Sequence, residues 1–252
     1  MRISQLIVAG LLVCACSQAQ VKQYGVKVVN EYPHDDHAYT QGLFFHEGTL
    51  YETTGQYGTS SIRTVALESG EPILKKKLSN KYFGEGSVVL NGVLYVLTWT
   101  NKVVFRYDPV TLTYKSTVAY PREGWGITTD GQKLIASDGS SWLYFLDPET
   151  LKTEHRLRVT LKEEPLANLN ELEYIAGKVW ANVYTTNDIV IINPSDGKVE
   201  AVVDCRGLLP SSLKTPQTDV LNGIAQDASG RIFLTGKNWP RLYEIELVNK
   251  KK

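Results

Sequence analysis

One carboxyl group in this chain is placed where it could carry protons. Glu85 lies between Gly84 and Gly86 and follows Phe83 closely. Partial burial there would raise its pKa toward neutrality and let it take up and release a proton. A cation, Lys237, stands in LTGKNWP just after an aliphatic stretch. Other polar and aromatic side chains recur in comparable local settings: Tyr39 and Gln41, Trp99, Glu123 and Trp125, Asp138, Asn170 with Glu171 and Glu173, Tyr184 and Asn222. Several aromatics and a carboxylate around one cation would form an aromatic-walled polar pocket. Such a pocket suits a small polar ligand with an aliphatic stem. No Ser-His-Asp arrangement is suggested, and GxSxG, HExxH and a phosphate loop are absent. The four histidines (His34, His37, His46, His155) are scattered, which argues against a zinc site built mainly from imidazole but leaves carboxylate metal sites open.

Residues so far apart need a scaffold that gathers them, and the chain is periodic. A glycine followed by an aliphatic–aromatic pattern recurs at Gly48, Gly92, Gly131, Gly177 and Gly230, with spacings of 44, 39, 46 and 53. Before each lies a second shared element: QGLFF, GEGSVV, GWGITT, NELEYI and NGIAQD. Three units then carry an Asp-Pro or Asn-Pro turn, in RYDPVTLTY, FLDPETLKT and IINPSDGKV. Units of this length with four short strands are the signature of a propeller blade. Amphipathic helices are missing, and Pro165 interrupts the nearest candidate, LKEEPLANLNELEYIAG, which reads as an irregular loop. The fifth unit stops after three strands, whereas the strand Gly25–Pro33 is unused, so it completes the last blade and closes the ring. The expected fold is an all-β, five-bladed β-propeller over residues 22–250. Its inner strands line one channel, which brings the residues above together. Gly42, Gly84, Gly86, Gly124 and Gly126 imply close backbone approach there. The same polar groups would also serve merely to plug a wet channel.

Composition narrows the function further. The 27 basic and 27 acidic side chains leave no net charge, which argues against a phosphate-tracking nucleic-acid binder. Residues 1–19 read as a signal peptide: an early Arg2 and the apolar run Leu6–Ala15 are too short to span a bilayer. Val13-Cys14-Ala15 before Cys16 resembles a lipoprotein box, which would lipidate Cys16. A cut before Gln20 is the alternative. Either route exports the protein to the periplasm or anchors it in a bacterial envelope. Cys205, with no histidine near it in VVDCRGLLP, is expected to be a buried structural thiol, so disulfides do not hold the fold.

The ordered series YTQGLFF, YETTGQYG, FGEG, LTW, EGWGITTDG, SDGSSWLYFLDP, LNELE, ANVY, LNGIA and TGKNWP resembles the plant-type glutaminyl-peptide cyclotransferase family, over roughly residues 38–247. The resemblance implies a five-bladed propeller that converts the N-terminal glutaminyl residue of peptides or proteins to 5-oxoproline with release of ammonia, without catalytic zinc. It implies Glu85 as the proton-transfer group, with Lys237, Asn170 and Gln41 as active-site polar residues. Trp99 and Trp125 would be pocket walls, completed by Phe83 and Tyr39. The family usually has Phe where this chain has Tyr39, and Trp where it has Tyr184. The second departure bears on substrate range. Asp138 would orient Lys237 or the substrate amine; Glu171 and Glu173 would organise the fourth loop, or Glu171 would hold Lys237 or a structural channel cation. The expected partners are peptides with N-terminal glutamine, no nucleic acid, and a membrane only through the lipid anchor, with the chain a monomer. Two other classes stay open. One is a calcium-dependent propeller hydrolase that uses Glu85, Asn170 and Asn222 around the ion. The other is a non-catalytic binding propeller.

Overall fold

The computed structural model describes residues 20–250, and among them the only helical element is the 3-10 turn Ser211–Leu213. Apart from one two-stranded hairpin, everything else regular is strand arranged as five four-stranded antiparallel blades around one channel. Blade 1 runs from the channel outward as Thr40–His46, Thr49–Thr54, Ser61–Val65 and Pro72–Lys77. Blade 2 is Gly84–Leu90, Val93–Thr98, Val103–Tyr107 and Tyr114–Ala119, and blade 3 is Ile127–Thr129, Leu134–Ala136, Trp142–Leu146 and Thr153–Arg158. Blade 4 is Leu169–Ile175, Lys178–Val183, Asp188–Ile192 and Val199–Asp204. Blade 5 has Leu221–Gln226, Ile232–Gly236 and Arg241–Asn249, completed on its outside by the N-terminal strand Lys22–Pro33.

The closing strand is longer than its sequence signal. Tyr24 to Pro33 pair antiparallel with blade 5, while Lys22 to Gly25 pair in parallel with Ala201 to Asp204 of blade 4. The overrun fuses blades 4 and 5 into one eight-stranded sheet. The loop before blade 4 also differs from the expected irregular stretch: Thr160–Leu161 and Glu164–Pro165 form a small hairpin.

The repeated glycines have a backbone reason. Glu47-Gly48, Asn91-Gly92 and Ala176-Gly177 all have positive φ at both positions, between 48° and 78°. Two left-handed residues in a row make the hairpin turn whose twist matches the flanking strands, and a glycine in the second position avoids the steric penalty. The Asp-Pro and Asn-Pro turns are held by their own side chains: Asp108 accepts from the Thr111 amide, Asp147 from Thr150, and Asn193 from Ser195.

Alternation along each inner strand then builds the core. Val88 packs toward blade 3 and Val89 toward blade 1, because successive strand side chains point to opposite faces. The described apolar core divides into five clusters, one at each junction between neighbouring blades. Phe233 and Leu242 of blade 5 pack with Leu43 and Val65 of blade 1, so the last junction is closed like the others.

Candidate active site

Four of the five inner strands break register, each by one extra residue, at the polar positions. Pairing skips between Thr40 and Gly42, between Gly84 and Ser87, between Leu169 and Leu172, and between Leu221 and Ile224. The polar residues inside these bulges are Gln41, Glu85, Asn170 with Glu171, and Asn222, with Gly86 and Gly223 beside them. A bulge takes a side chain out of the strand's alternation and re-aims it. In blade 3 the inner strand starts only at Ile127, and Trp125 sits just before it. The glycines let these irregular backbones touch. A Cβ on Gly86 would lie 2.7 Å from the Trp125 carbonyl oxygen, and one on Gly126 would lie 2.0 Å from that of Asn170.

Two opposite charges end up buried in this region with no hydrogen-bond partner among the described residues. Glu85 is 5% exposed and Lys237 2%. Burial pushes the Glu85 carboxyl well above the usual range; the Lys237 charge opposes the rise and Glu123 adds to it. Burial likewise lowers Lys237 to about 8, against the upward pull of Glu85 and Asp219. The Lys237 ammonium instead rests on aromatic faces, 4.7 Å from the centroid of Tyr39 and 5.1 Å from that of Tyr184.

From those two rings the contacts run in a closed circuit. Tyr39 meets Phe83 edge-on at 6.1 Å, and Phe83 meets Trp99 at 5.5 Å. The Trp99 and Trp125 indole N–H groups both donate to Glu123 Oε2, at 2.9 and 3.3 Å. Trp125 then meets Tyr184 at 5.5 Å, which returns to Lys237. Two glycines make room for the walls: a Cβ on Gly55 would lie 2.4 Å from the Phe83 ring, and one on Gly139 2.6 Å from Trp125. Trp99 and Tyr57, which also packs on Phe83, remain exposed at the outer side.

The remaining polar residues divide into those facing the pocket and those bracing the channel. Asn222 Nδ2 donates to the Thr40 carbonyl and to Gln41 Oε1 at 3.3 Å, which leaves Gln41 Nε2 as a donor for a ligand. Asn170 Oδ1 and Asn222 Oδ1 are buried acceptors without a partner. Glu171, expected to hold Lys237 or a cation, is instead spent on backbone. It accepts from the amides of Leu43 in blade 1 and Ile224 in blade 5, at 3.3 and 2.9 Å. Burial and the neighbouring Glu173 push its carboxyl well above the usual range, and burial pushes Glu173 up to about 8. Asp138 accepts from the amide and hydroxyl of Ser140, and the acids whose charges act on Lys237 are Glu85 and Asp219. Asp219 receives the Tyr39 hydroxyl at 3.0 Å. Its amide donates to the Lys237 carbonyl at 3.0 Å, and its own carbonyl accepts from the Trp239 indole at 2.9 Å. Asp219 carried no distinguishing signal in the sequence beyond its position in a loop next to a blade strand, and Tyr57 was marked only by its place in YETTGQYG.

Elsewhere, Cys205 is buried and its thiol is pushed up to about 12, chiefly by burial, which makes it inert. The group of potential metal ligands found among the described residues is Asp35, Asp36 and His37, all outside the aromatic circuit. A surface hollow of about 320 Å³ lies at the outer rim between blades 1 and 2, beside Leu74 and Tyr114, and no pocket residue reaches it. Cys16 lies outside the described residues.

Comparison with known proteins agrees with this geometry. A family model described as glutamine cyclotransferase matches residues 3–247. A glutaminyl-peptide cyclotransferase of Arabidopsis thaliana is 43% identical over 229 residues, covering 88% of this chain and 71% of that protein. The crystal structure of Myxococcus xanthus glutaminyl cyclase superposes with a TM-score of 0.86 at 35% identity, over 92% of this chain and 100% of that one.

Proposed function

This chain belongs to the glutamine cyclotransferase family, and from that membership we propose how its pocket divides the work of the reaction. The protein is a glutaminyl-peptide cyclotransferase: it converts an N-terminal glutaminyl residue to pyroglutamate. The α-amine attacks the side-chain carboxamide carbon, a tetrahedral centre forms, and ammonia departs. One observation carries the assignment of roles. Glu85 and Lys237 are buried, unpartnered and electrostatically coupled across one aromatic-walled space.

Burial favours the protonated form of Glu85, and in that form it can give its proton to the departing nitrogen. The resulting carboxylate takes the proton released by the attacking amine, and Glu85 ends as it began. The Lys237 ammonium stabilises the oxygen that becomes negative in the tetrahedral centre, in a site where little water competes. Gln41 Nε2 and the unpartnered Asn170 Oδ1 fix the substrate's carbonyl and N–H groups. The rings of Tyr39, Phe83, Trp99, Trp125 and Tyr184 hold the aliphatic stem curled, which supplies proximity between amine and carboxamide. A divalent ion held by Glu85, Asn170 and Asn222 is disfavoured, because the Lys237 charge already faces Glu85.

The test is to incubate the mature protein with a Gln-initiated dipeptide and follow ammonia together with the mass of the cyclised peptide. Peptides with a blocked α-amine serve as controls. No rate above the spontaneous background, from folded protein, would sink the assignment. The apolar run Leu6–Ala15 and the sequence before Cys16 support an exported, lipid-anchored form. An N-terminal peptide lacking acyl chains in envelope fractions would count against it. Closure of all five blade junctions within one chain supports a monomer, which sedimentation can check.

A further inference from the structure

We propose that His34 is a positioning residue for the cyclisation, a doubly bonded imidazolium that fixes the Tyr39–Gln41 segment against the loop carrying Lys237. The inference rests on the role given to Lys237 above. His34 stands directly after the closing strand, its side chain 4% exposed. Its Nδ1 lies 2.6 Å from the Trp239 carbonyl oxygen, and its Nε2 lies 3.1 Å from Glu52 Oε1. A carbonyl and a carboxylate can only accept, so both ring nitrogens must donate. Only the imidazolium has two donors.

The groups facing the ring come from three elements. Glu52, on the second strand of blade 1, accepts from His34 and also from the Thr40 hydroxyl at 2.6 Å. Arg63, on the third strand, gives its Nε to Glu52 at 2.9 Å and its Nη1 to Asp35 at 2.7 Å. Trp239 comes from blade 5. Burial works against the His34 charge, but Glu52 and the Trp239 carbonyl outweigh it and raise the pKa.

Two functional segments meet at this cluster. Thr40 lies between Tyr39 and Gln41. The loop after Lys237 is held by the His34 amide donating to Pro240, by its imidazole on Trp239, and by the Asn238 amide donating to Ala38 at 2.7 Å. Tyr39 in turn supplies one of the two faces on which the Lys237 ammonium rests. Releasing His34 would loosen the loop, admit water to Lys237 and let its pKa climb from about 8 toward its ordinary value. The device also has a sign in pH. Because the folded pKa of His34 is raised, its brace is complete below pH ~6.5 and is lost as pH rises through the folded value.

The experiment compares the wild-type chain with His34→Gln, whose single donor nitrogen cannot reach both acceptors. Expected are imidazole NMR signals from two N–H groups on His34 at neutral pH, kcat reduced about tenfold in His34→Gln, and the alkaline limb of kcat/KM moved to higher pH. If His34→Gln does not fold, Thr40→Val removes the hydroxyl on Glu52 and is read the same way, with Thr40→Ser as the rescue. A neutral His34 ring overturns the inference. So does a folded variant with wild-type kcat and an unmoved alkaline limb, even with a lowered melting temperature. Absence of any cyclase activity in the wild-type chain would instead refute the function itself and leave the NMR result standing.

Discussion

Two sets of buried charges flank the Tyr39–Gln41 segment, and the fold treats them in opposite ways. On one side, Glu52, Arg63 and His34 are nearly inaccessible, and each charge finds its counterpart. Burial alone would raise the Glu52 carboxyl, but Arg63 and His34 pull it down to about 2. On the other side, Glu85 and Lys237 are equally buried, yet neither side chain makes a hydrogen bond among the described residues, and their pKa values move toward one another. A satisfied buried cluster fixes geometry, whereas an unsatisfied one leaves bonding capacity for something absent from the chain itself. The difference separates scaffold from reaction centre, although both sets use the same residue types.

The largest effect should come from Glu85→Gln. It removes the proton carrier while keeping shape, so kcat/KM should fall by about 10²–10⁴. Stability at pH 7 should rise, because a carboxyl with a raised folded pKa makes folding less favourable once pH exceeds its unfolded value. That gain should vanish near pH 4. Steady-state kinetics and urea unfolding on the same preparation test both halves. Unchanged turnover would return Glu85 to the class of channel plugs.

The mirror experiment is Arg63→Met in the satisfied cluster. Leaving Glu52 buried without its guanidinium should cost about 3–5 kcal/mol. The lowering of Glu52 to about 2 gives the pH signature: stability from this group is present above pH ~4.5 and is lost as pH falls toward 2. Acid titration of the unfolding midpoint should show that dependence in the wild type and lose most of it in the variant. A variant as stable as the parent would mean that the cluster is not what braces blade 1.

Lys237→Met should behave like Glu85→Gln rather than like Arg63→Met. Loss of an oxyanion partner should reduce kcat by about 10²–10³. Depression of Lys237 from 10.5 to about 8 means that the folded protein holds this charge at a disadvantage below pH 8. The apolar replacement should therefore stabilise it by roughly 3 kcal/mol at pH 7. Activity gained or lost together with stability would contradict the contrast between the two clusters.

How much of this was legible in the sequence follows the same division. The five blades could be read from the spacing of Gly48, Gly92, Gly131, Gly177 and Gly230, all at positive φ in their turns, and the closing strand from the fifth unit's missing fourth strand. Glu85, Gln41, Asn170 and Asn222 were visible because polar groups beside glycines mark inner strands, and the register breaks explain why the alternation fails at them. His34 and Glu52 gave no such signal. Their meaning lies in contacts between blade 1 and blade 5, whose partners are as far apart as His34 and Trp239. Glu171 looked like a cation ligand because nothing in LNELE tells that two backbone amides from other blades will occupy its carboxylate. Asp138 and Asp219 differ in the same way: both are loop acids, and only the folded ring decides which of them stands near Lys237.

The smallest effect is the sharpest test of that last point. Asp219 is exposed, so its charge reaches Lys237 through water and should be worth little. Asp219→Asn should move the alkaline limb of kcat/KM down by about 0.2–0.7 pH unit, since removing the anion makes the ammonium easier to deprotonate. Tyr39→Phe removes the hydroxyl that donates to Asp219 but keeps the charge and the ring beneath Lys237. If the coupling is electrostatic, Tyr39→Phe leaves the limb in place, and the shift in Asp219→Asn shrinks as salt is added. If the two variants shift the limb equally and salt has no effect, Asp219 acts by holding Tyr39 in position. The rim of the pocket would then follow the logic of the satisfied cluster, in which a bond and not a field sets the geometry.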